Sequence, residues 1–149
     1  MSSASPGASG APVEGRLHNL ATGECLAVDS RATVGAAIRL AACSSAGSEQ
    51  WSYEFDGLLR SGADPSLCLA ADPRTRNVRL SLCVASTGEV TYVLTSHGEL
   101  LLRRRQDLAL APESGGKLSE VVVADRDASG GQRWALVVAD ADAAPKSHT

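Results

Sequence analysis

Aromatic side chains are scarce in this chain, which has two tryptophans, two tyrosines and one phenylalanine in 149 residues. A broad stacking platform is hard to build from so few rings, and each carries a large share of whatever core exists. Basic residues do not dominate either. With 14 Lys and Arg against 17 Asp and Glu the net charge is −3, which gives no electrostatic reason to expect nucleic acid or an anionic membrane surface. No apolar run approaches the ~18 residues that a membrane-spanning helix requires. His18, His97 and His148 are scattered without the paired spacing of metal ligands, so neither a metal nor a cofactor is expected. Serines are plentiful, yet no Gly-x-Ser-x-Gly elbow marks a nucleophile, and Gly115-Gly116 reads as a turn rather than a phosphate loop. Arg103-Arg104-Arg105 would alternate between the faces of a strand, which dilutes any basic patch. The residues therefore do not point to an enzyme.

What the chain does have is repetition. Ile38-Arg39-Leu40 is followed by Cys43 and, eight residues later, by Trp51. Val78-Arg79-Leu80 leads in the same way to Cys83 and Thr91, and Val121-Val122-Val123 to Arg126 and Trp134. Upstream, Cys25-Leu26-Ala27-Val28 has counterparts in Cys68-Leu69-Ala70-Ala71 and Asp107-Leu108-Ala109-Leu110, and a glycine opens each unit at Gly15, Gly57 and Gly98. A period of about 40 residues means a supersecondary unit that cannot bury its apolar side alone and packs against its siblings.

The ends do not share the pattern. Residues 1–13 are small, polar and rich in Pro and Gly, without the charged and apolar regions of a secretory signal, and residues 139–149 offer nothing to pack. Both are expected to be disordered. Between them, residues 14–138 form one domain with repeats at about 15–56, 57–97 and 98–138.

Short alternating segments separated by Gly, Pro, Asp and Ser favour strands throughout. Twelve can be placed, near 15–19, 24–28, 37–41, 50–55, 57–60, 67–71, 78–82, 89–95, 99–103, 108–111, 120–123 and 133–138. Four strands in each of three repeats suit a closed barrel capped by hairpins, because closure removes unpaired edges. The expected fold is an all-β, pseudo-threefold β-trefoil, and the molecule is expected to be a monomer.

The Gly-x-Leu opening, the CLAV segment and Gln132-Arg133-Trp134 resemble the R-type, ricin-B-like β-trefoil lectins found as carbohydrate-binding modules. Glu49-Gln50-Trp51 is a near match to the family's Gln-x-Trp, and Glu89-Val90-Thr91 an eroded one. The resemblance spans about residues 15 to 138. Trp51, Trp134 and Gln132 are expected to be structural. Trp51, Tyr53 and Phe55 would share one strand face and so belong to the core, while Thr91-Tyr92 predicts looser packing in the second repeat.

Four cysteines allow three connectivities. The repeat register, and the pairing that the resembled family makes, select Cys25 with Cys43 and Cys68 with Cys83, each worth about 3 kcal/mol in the chain-entropy model. The third repeat has Asp107 and Arg126 at these two positions, which predicts a salt bridge in place of the disulfide. Disulfides imply an oxidising compartment and a secreted or extracellular domain of a larger protein; the alternative is a cytoplasmic protein with reduced thiols.

The resemblance implies a sugar site built from an Asp after the first cysteine, a ring before the second, and an Asn beside Gln-x-Trp. Here those positions hold Ala27, Ala70 and Ala109; Ala41, Ser81 and Ala124; and Ser48, Gly88 and Gly131. None carries the family's side chain. Substitutes are available in Asp29 and Asp72, two residues beyond the missing Asp positions, with Ser48 and Glu49 close to Asp29 in the first repeat. Against this, Asp29-Ser30 and Asp72-Pro73 are turn-forming pairs in which Asp commonly bonds local backbone. Two functions follow: a diverged module that binds carbohydrate weakly or at a relocated site, or a β-trefoil that has lost its sugar and binds a protein partner.

Overall fold

The structure, a computed structural model, describes residues 13–29, 31–84, 88–113, 120–127 and 129–138. The expected disordered ends, apart from Val13, lie outside these residues, as do Ser30, Gly115-Gly116 and His148. Twelve strands run in order: β1 Val13–Asn19, β2 Cys25–Val28, β3 Ile38–Ala41, β4 Trp51–Tyr53, β5 Leu59–Ser61, β6 Leu67–Ala71, β7 Val78–Leu82, β8 Tyr92–Leu94, β9 Leu100–Leu102, β10 Arg105–Pro112, β11 Val121–Asp125 and β12 Trp134–Val138. Each expected strand is present. No helix among the described residues is long and apolar enough to cross a membrane.

Six strands close a barrel. β1 pairs with β12 on one side and β4 on the other, β4 pairs with β5, and β8 with β9. Single bridges, Leu58 to Thr91 and Glu99 to Arg133, join β5 to β8 and β9 to β12 and complete the ring. The other six form three hairpins, β2–β3, β6–β7 and β10–β11. These hairpins touch one another through the bridges Ala37 to Arg79, Arg39 to Glu120 and Asn77 to Val122, so they cap the barrel around its pseudo-threefold axis. This is a β-trefoil.

The core repeats in threes. Leu17, Leu59 and Leu100 line the barrel; Leu26, Leu69 and Leu108 sit on the first hairpin strands; Leu40, Leu80 and Val123 on the second; all are buried. Each opening glycine faces the backbone of a closing strand. A Cβ on Gly15 would lie 2.0 Å from the Val137 carbonyl oxygen, and one on Gly98 would lie 2.8 Å from that of Trp134, so the β1–β12 and β9–β12 contacts exclude any side chain there.

The closing aromatic of the second repeat is Tyr92, not Thr91. The Tyr92 amide donates to the Gly57 carbonyl at 2.8 Å, as the Trp134 amide does to Gly98 at 2.7 Å. The second repeat is thus one residue longer between its second cysteine and its closing ring. Nor is packing loose: Tyr92 is fully buried and its hydroxyl donates to the Leu69 carbonyl at 2.8 Å, which parallels the Trp51 indole donating to Leu26 at 2.9 Å. Burial pushes the Tyr92 phenol well above its ordinary range.

Phe55 also departs from expectation, being 74% exposed. The alternation that buries Trp51 stops with β4 at Tyr53, and Glu54 to Gly57 form the tip of the β4–β5 hairpin, with Gly57 at φ 97° and its amide on the Glu54 carbonyl. The two disulfides are formed as expected, Cys25–Cys43 and Cys68–Cys83.

Candidate functional site

Three equivalent surfaces flank the hairpins, one per repeat, and the side chains that line them differ. In the first, Ala27 lies directly across the β2–β3 pair from Arg39. Asp29 follows β2, with its carboxylate 3.8 Å from the Arg39 guanidinium, and both side chains are about half exposed. Glu49 does not join them. It is buried in the short 3₁₀ turn Gly47–Glu49, where its carboxylate accepts from the Ser44 amide at 2.6 Å and the Ser44 hydroxyl at 3.1 Å. Ser48 lies in the same turn, partly exposed.

Gln132 occupies the position equivalent to Glu49, in the 3₁₀ turn Gly130–Gln132. Its amide oxygen accepts from the Asp127 amide at 2.9 Å and its amide nitrogen donates to the Asp125 carbonyl at 2.7 Å. The third repeat presents one donor and one acceptor, which only an amide can satisfy. The first presents two donors from Ser44, which a carboxylate satisfies. The departure from Gln to Glu thus follows the loop that each side chain holds.

In the third repeat Ala109 faces Ala124 across the β10–β11 pair. A neighbouring depression of about 350 Å³ is lined by His97, Glu99, Arg126, Asp127 and Arg133. The expected Asp107–Arg126 salt bridge is replaced here by two others. Arg126 donates to both oxygens of the buried Glu99, at 2.8 and 3.2 Å, and these bonds hold the Glu99 carboxyl below its ordinary value. Asp107 pairs instead with Arg105 at 3.1 Å. A buried carboxylate demands a cation more strongly than an exposed one, so the long Arg126 side chain reaches past Asp107 to Glu99. The link that remains between the two is the Arg126 amide on the Asp107 carbonyl at 2.8 Å.

In the second repeat all three substituted positions share a cavity. Ala70, Ser81 and Gly88 line an open groove of about 650 Å³, together with Val34 from the first repeat and Asp72, Arg74, Asn77 and Arg79 from the β6–β7 hairpin. Asp72 organises that hairpin. Its carboxylate accepts from the Arg74 amide at 2.8 Å and the Thr75 amide at 3.4 Å, which lowers its pKa, and its own amide and carbonyl bond Asn77 and Arg76. Arg76 takes φ 70° to close the turn. Arg79 stands across the strand pair from Ala70, so both side chains share the groove face. In the linear sequence Arg79 is one charged residue between Val78 and Leu80, and only the hairpin register places it opposite Ala70.

Among the described residues, His18, Cys25 and Cys43 come within 4.8 Å of one another. The two sulfurs are bonded to each other, and the imidazole Nδ1 lies 3.5 Å from the Cys43 sulfur. That arrangement leaves no thiolate for a metal.

A family model described as the ricin-type beta-trefoil lectin domain matches residues 13–134. No curated protein matches the chain. Among solved structures, the β-trefoil lectin of the Vibrio vulnificus hemolysin/cytolysin, with N-acetyl-D-lactosamine bound, superposes with a TM-score of 0.72 at 17% identity over 86% of this chain and 96% of that one. The C-half of the earthworm R-type lectin in complex with GalNAc gives 0.70 at 11% identity, over 85% and 99%. A designed threefold-symmetric protein gives 0.68 at 21% identity, over 83% and 97%. At these identities the likeness is one of fold.

Proposed function

The chain belongs to the ricin-type β-trefoil lectin family, and we propose that it binds a carbohydrate through the groove of its second repeat. The family and its fold support carbohydrate binding in general. The location rests on one observation: Ala70, Ser81 and Gly88, the three positions where the resembled lectins keep their sugar-binding side chains, line a single groove. Its polar groups are Asn77, Thr75, Ser81 and the two guanidiniums, and Val34 supplies an apolar wall. Asp72 contributes mainly by shaping the hairpin. Asp29 is paired with Arg39 and Glu49 is committed to Ser44, so the first repeat offers less for a sugar. With no ring in the groove, binding is weak per site and needs a repeating ligand to be seen. The two disulfides support an extracellular setting.

A dense glycan array tests this reading. A hit competed by free sugar and lost in the double variant Asn77→Ala, Ser81→Ala supports it, and a hit that the double variant retains places the site elsewhere. A blank array from folded protein favours the second reading, a protein-binding β-trefoil. That reading is supported by the loss of all nine family side chains and by two bare apolar side chains, Phe55 and Val84, 74% and 94% exposed.

A further inference from the structure

We infer that the second-repeat groove selects anionic saccharides, uronates or sulfated sugars, whose charged group is held by Arg79 with Arg74 on the adjoining wall. This rests on the carbohydrate reading and adds the charge class of the ligand. The register of β6 and β7 sets Arg79 opposite Ala70, so the strand pair presents a guanidinium where the resembled sites present a carboxylate. The sign of the site is inverted.

The three repeats provide an internal comparison. In the first, Arg39 stands opposite Ala27 in the same way, but Asp29 lies 3.8 Å from it. In the third, Ala124 stands opposite Ala109, so that position carries no guanidinium. In the second, Asp72 occupies the place of Asp29 but is turned to the amides of Arg74 and Thr75. Among the described residues no carboxylate lies within ion-pair distance of Arg79, whose side chain is exposed. Arg74 lies on the same groove, so two cations face one carboxylate that already accepts two hydrogen bonds.

A guanidinium offers a planar fork of donors that matches a carboxylate or a sulfate in two parallel bonds, whereas a neutral sugar gives it only single hydroxyl acceptors. The groove has alanine where the resembled sites keep their carboxylate, its one carboxylate, Asp72, accepts from the hairpin amides, and among its lining residues there is no ring to cover a sugar's C–H face. What it retains is donor capacity with positive charge. In a protein whose net charge is −3, this is a local reversal and not a general basicity.

The test compares charge-matched pairs by isothermal titration: dextran sulfate against dextran, and oligogalacturonate against its methyl ester. The two anionic probes separate sulfate from carboxylate as the preferred group. The expected result is that at least one anionic probe binds about tenfold or more tighter than its neutral match, as a charge-assisted fork predicts. Arg79→Gln removes most of that preference, Arg79→Lys keeps part of it, and Arg39→Gln, the first-repeat counterpart, leaves it unchanged. Added salt weakens it. If the neutral probe binds as tightly as the anionic one and binding is lost in Asn77→Ala, the charge class is overturned and the carbohydrate reading stands. Equal losses in Arg39→Gln and Arg79→Gln overturn the site. If no saccharide of either charge binds folded protein, both readings fall.

Discussion

The hydroxyl of Tyr92 donates to the carbonyl of Leu69 at 2.8 Å inside a barrel where the first repeat uses the Trp51 indole on Leu26 for the same purpose. A smaller ring reaches the equivalent backbone oxygen because its polar atom is at the tip. Removing that atom leaves a buried carbonyl with one partner fewer. Tyr92→Phe is expected to cost about 1–3 kcal/mol, read as a lower urea midpoint with an unchanged slope. A loss within error would mean that the hydroxyl only fills space.

The Gln132 and Glu49 loops predict an asymmetric exchange. Gln132→Glu puts a carboxylate against the Asp125 carbonyl now 2.7 Å from the amide nitrogen, an acceptor facing an acceptor, and is expected to destabilise by about 1–3 kcal/mol. Glu49→Gln keeps one acceptor for the Ser44 amide and is expected to cost about 1 kcal/mol or less. Thermal unfolding of the two variants decides it, and equal losses would contradict the loop-matching account.

The Arg126–Glu99 pair ties the third repeat where the other two have disulfides. Because Arg126 lowers the folded pKa of Glu99, the pair's contribution is complete above the unfolded value of about 4.3 and is lost as pH falls through the lower folded value. Glu99→Gln is therefore expected to lower Tm near neutral pH, by the equivalent of about 1–2 kcal/mol for a partly exposed charged pair. The gap from wild type should close as both are taken below pH ~4. A gap that stays constant with pH would show that the carboxylate's charge is not what stabilises.

Phe55 stands bare at a hairpin tip, so Phe55→Ser is expected to change stability by no more than about 0.5 kcal/mol. A loss of several times that, by urea unfolding, would mean that the ring packs in solution.

The fold was open to reading because three copies of one pattern reinforce each other: Cys25, Cys68 and Asp107 lie on equivalent strands, and the segments beginning at Ile38, Val78 and Val121, apolar at their first and third residues, answer them. Errors arose where spacing was counted through loops. Thr91 held the counted position, but the longer second-repeat loop moves the register by one and brings Tyr92 inward. Phe55 obeyed strand alternation two residues after the strand had ended. Asp107 and Arg126 are equivalent to a disulfide pair, yet a disulfide joins two Sγ atoms of equal reach, whereas an arginine can pass its neighbour for a buried carboxylate. The candidate site was harder to see. Absence of the family's side chains at nine positions was plain, but what replaces them depends on the pairing of Ala70 with Arg79, a cross-strand fact that no linear spacing states.

The most direct test of the central claim is a ¹⁵N-resolved NMR titration of the oxidised domain with oligogalacturonate and, separately, a neutral polysaccharide hydrolysate. The account predicts amide shifts that saturate with ligand and map to the second-repeat groove, around Val34 and Gly35 at the tip of the first hairpin, residues 70–81 and Gly88, with strands β2 and β3 and the third hairpin unmoved. Saturable shifts centred on Asp29 and Ser48, or on the depression between Glu99 and Arg133, would contradict it.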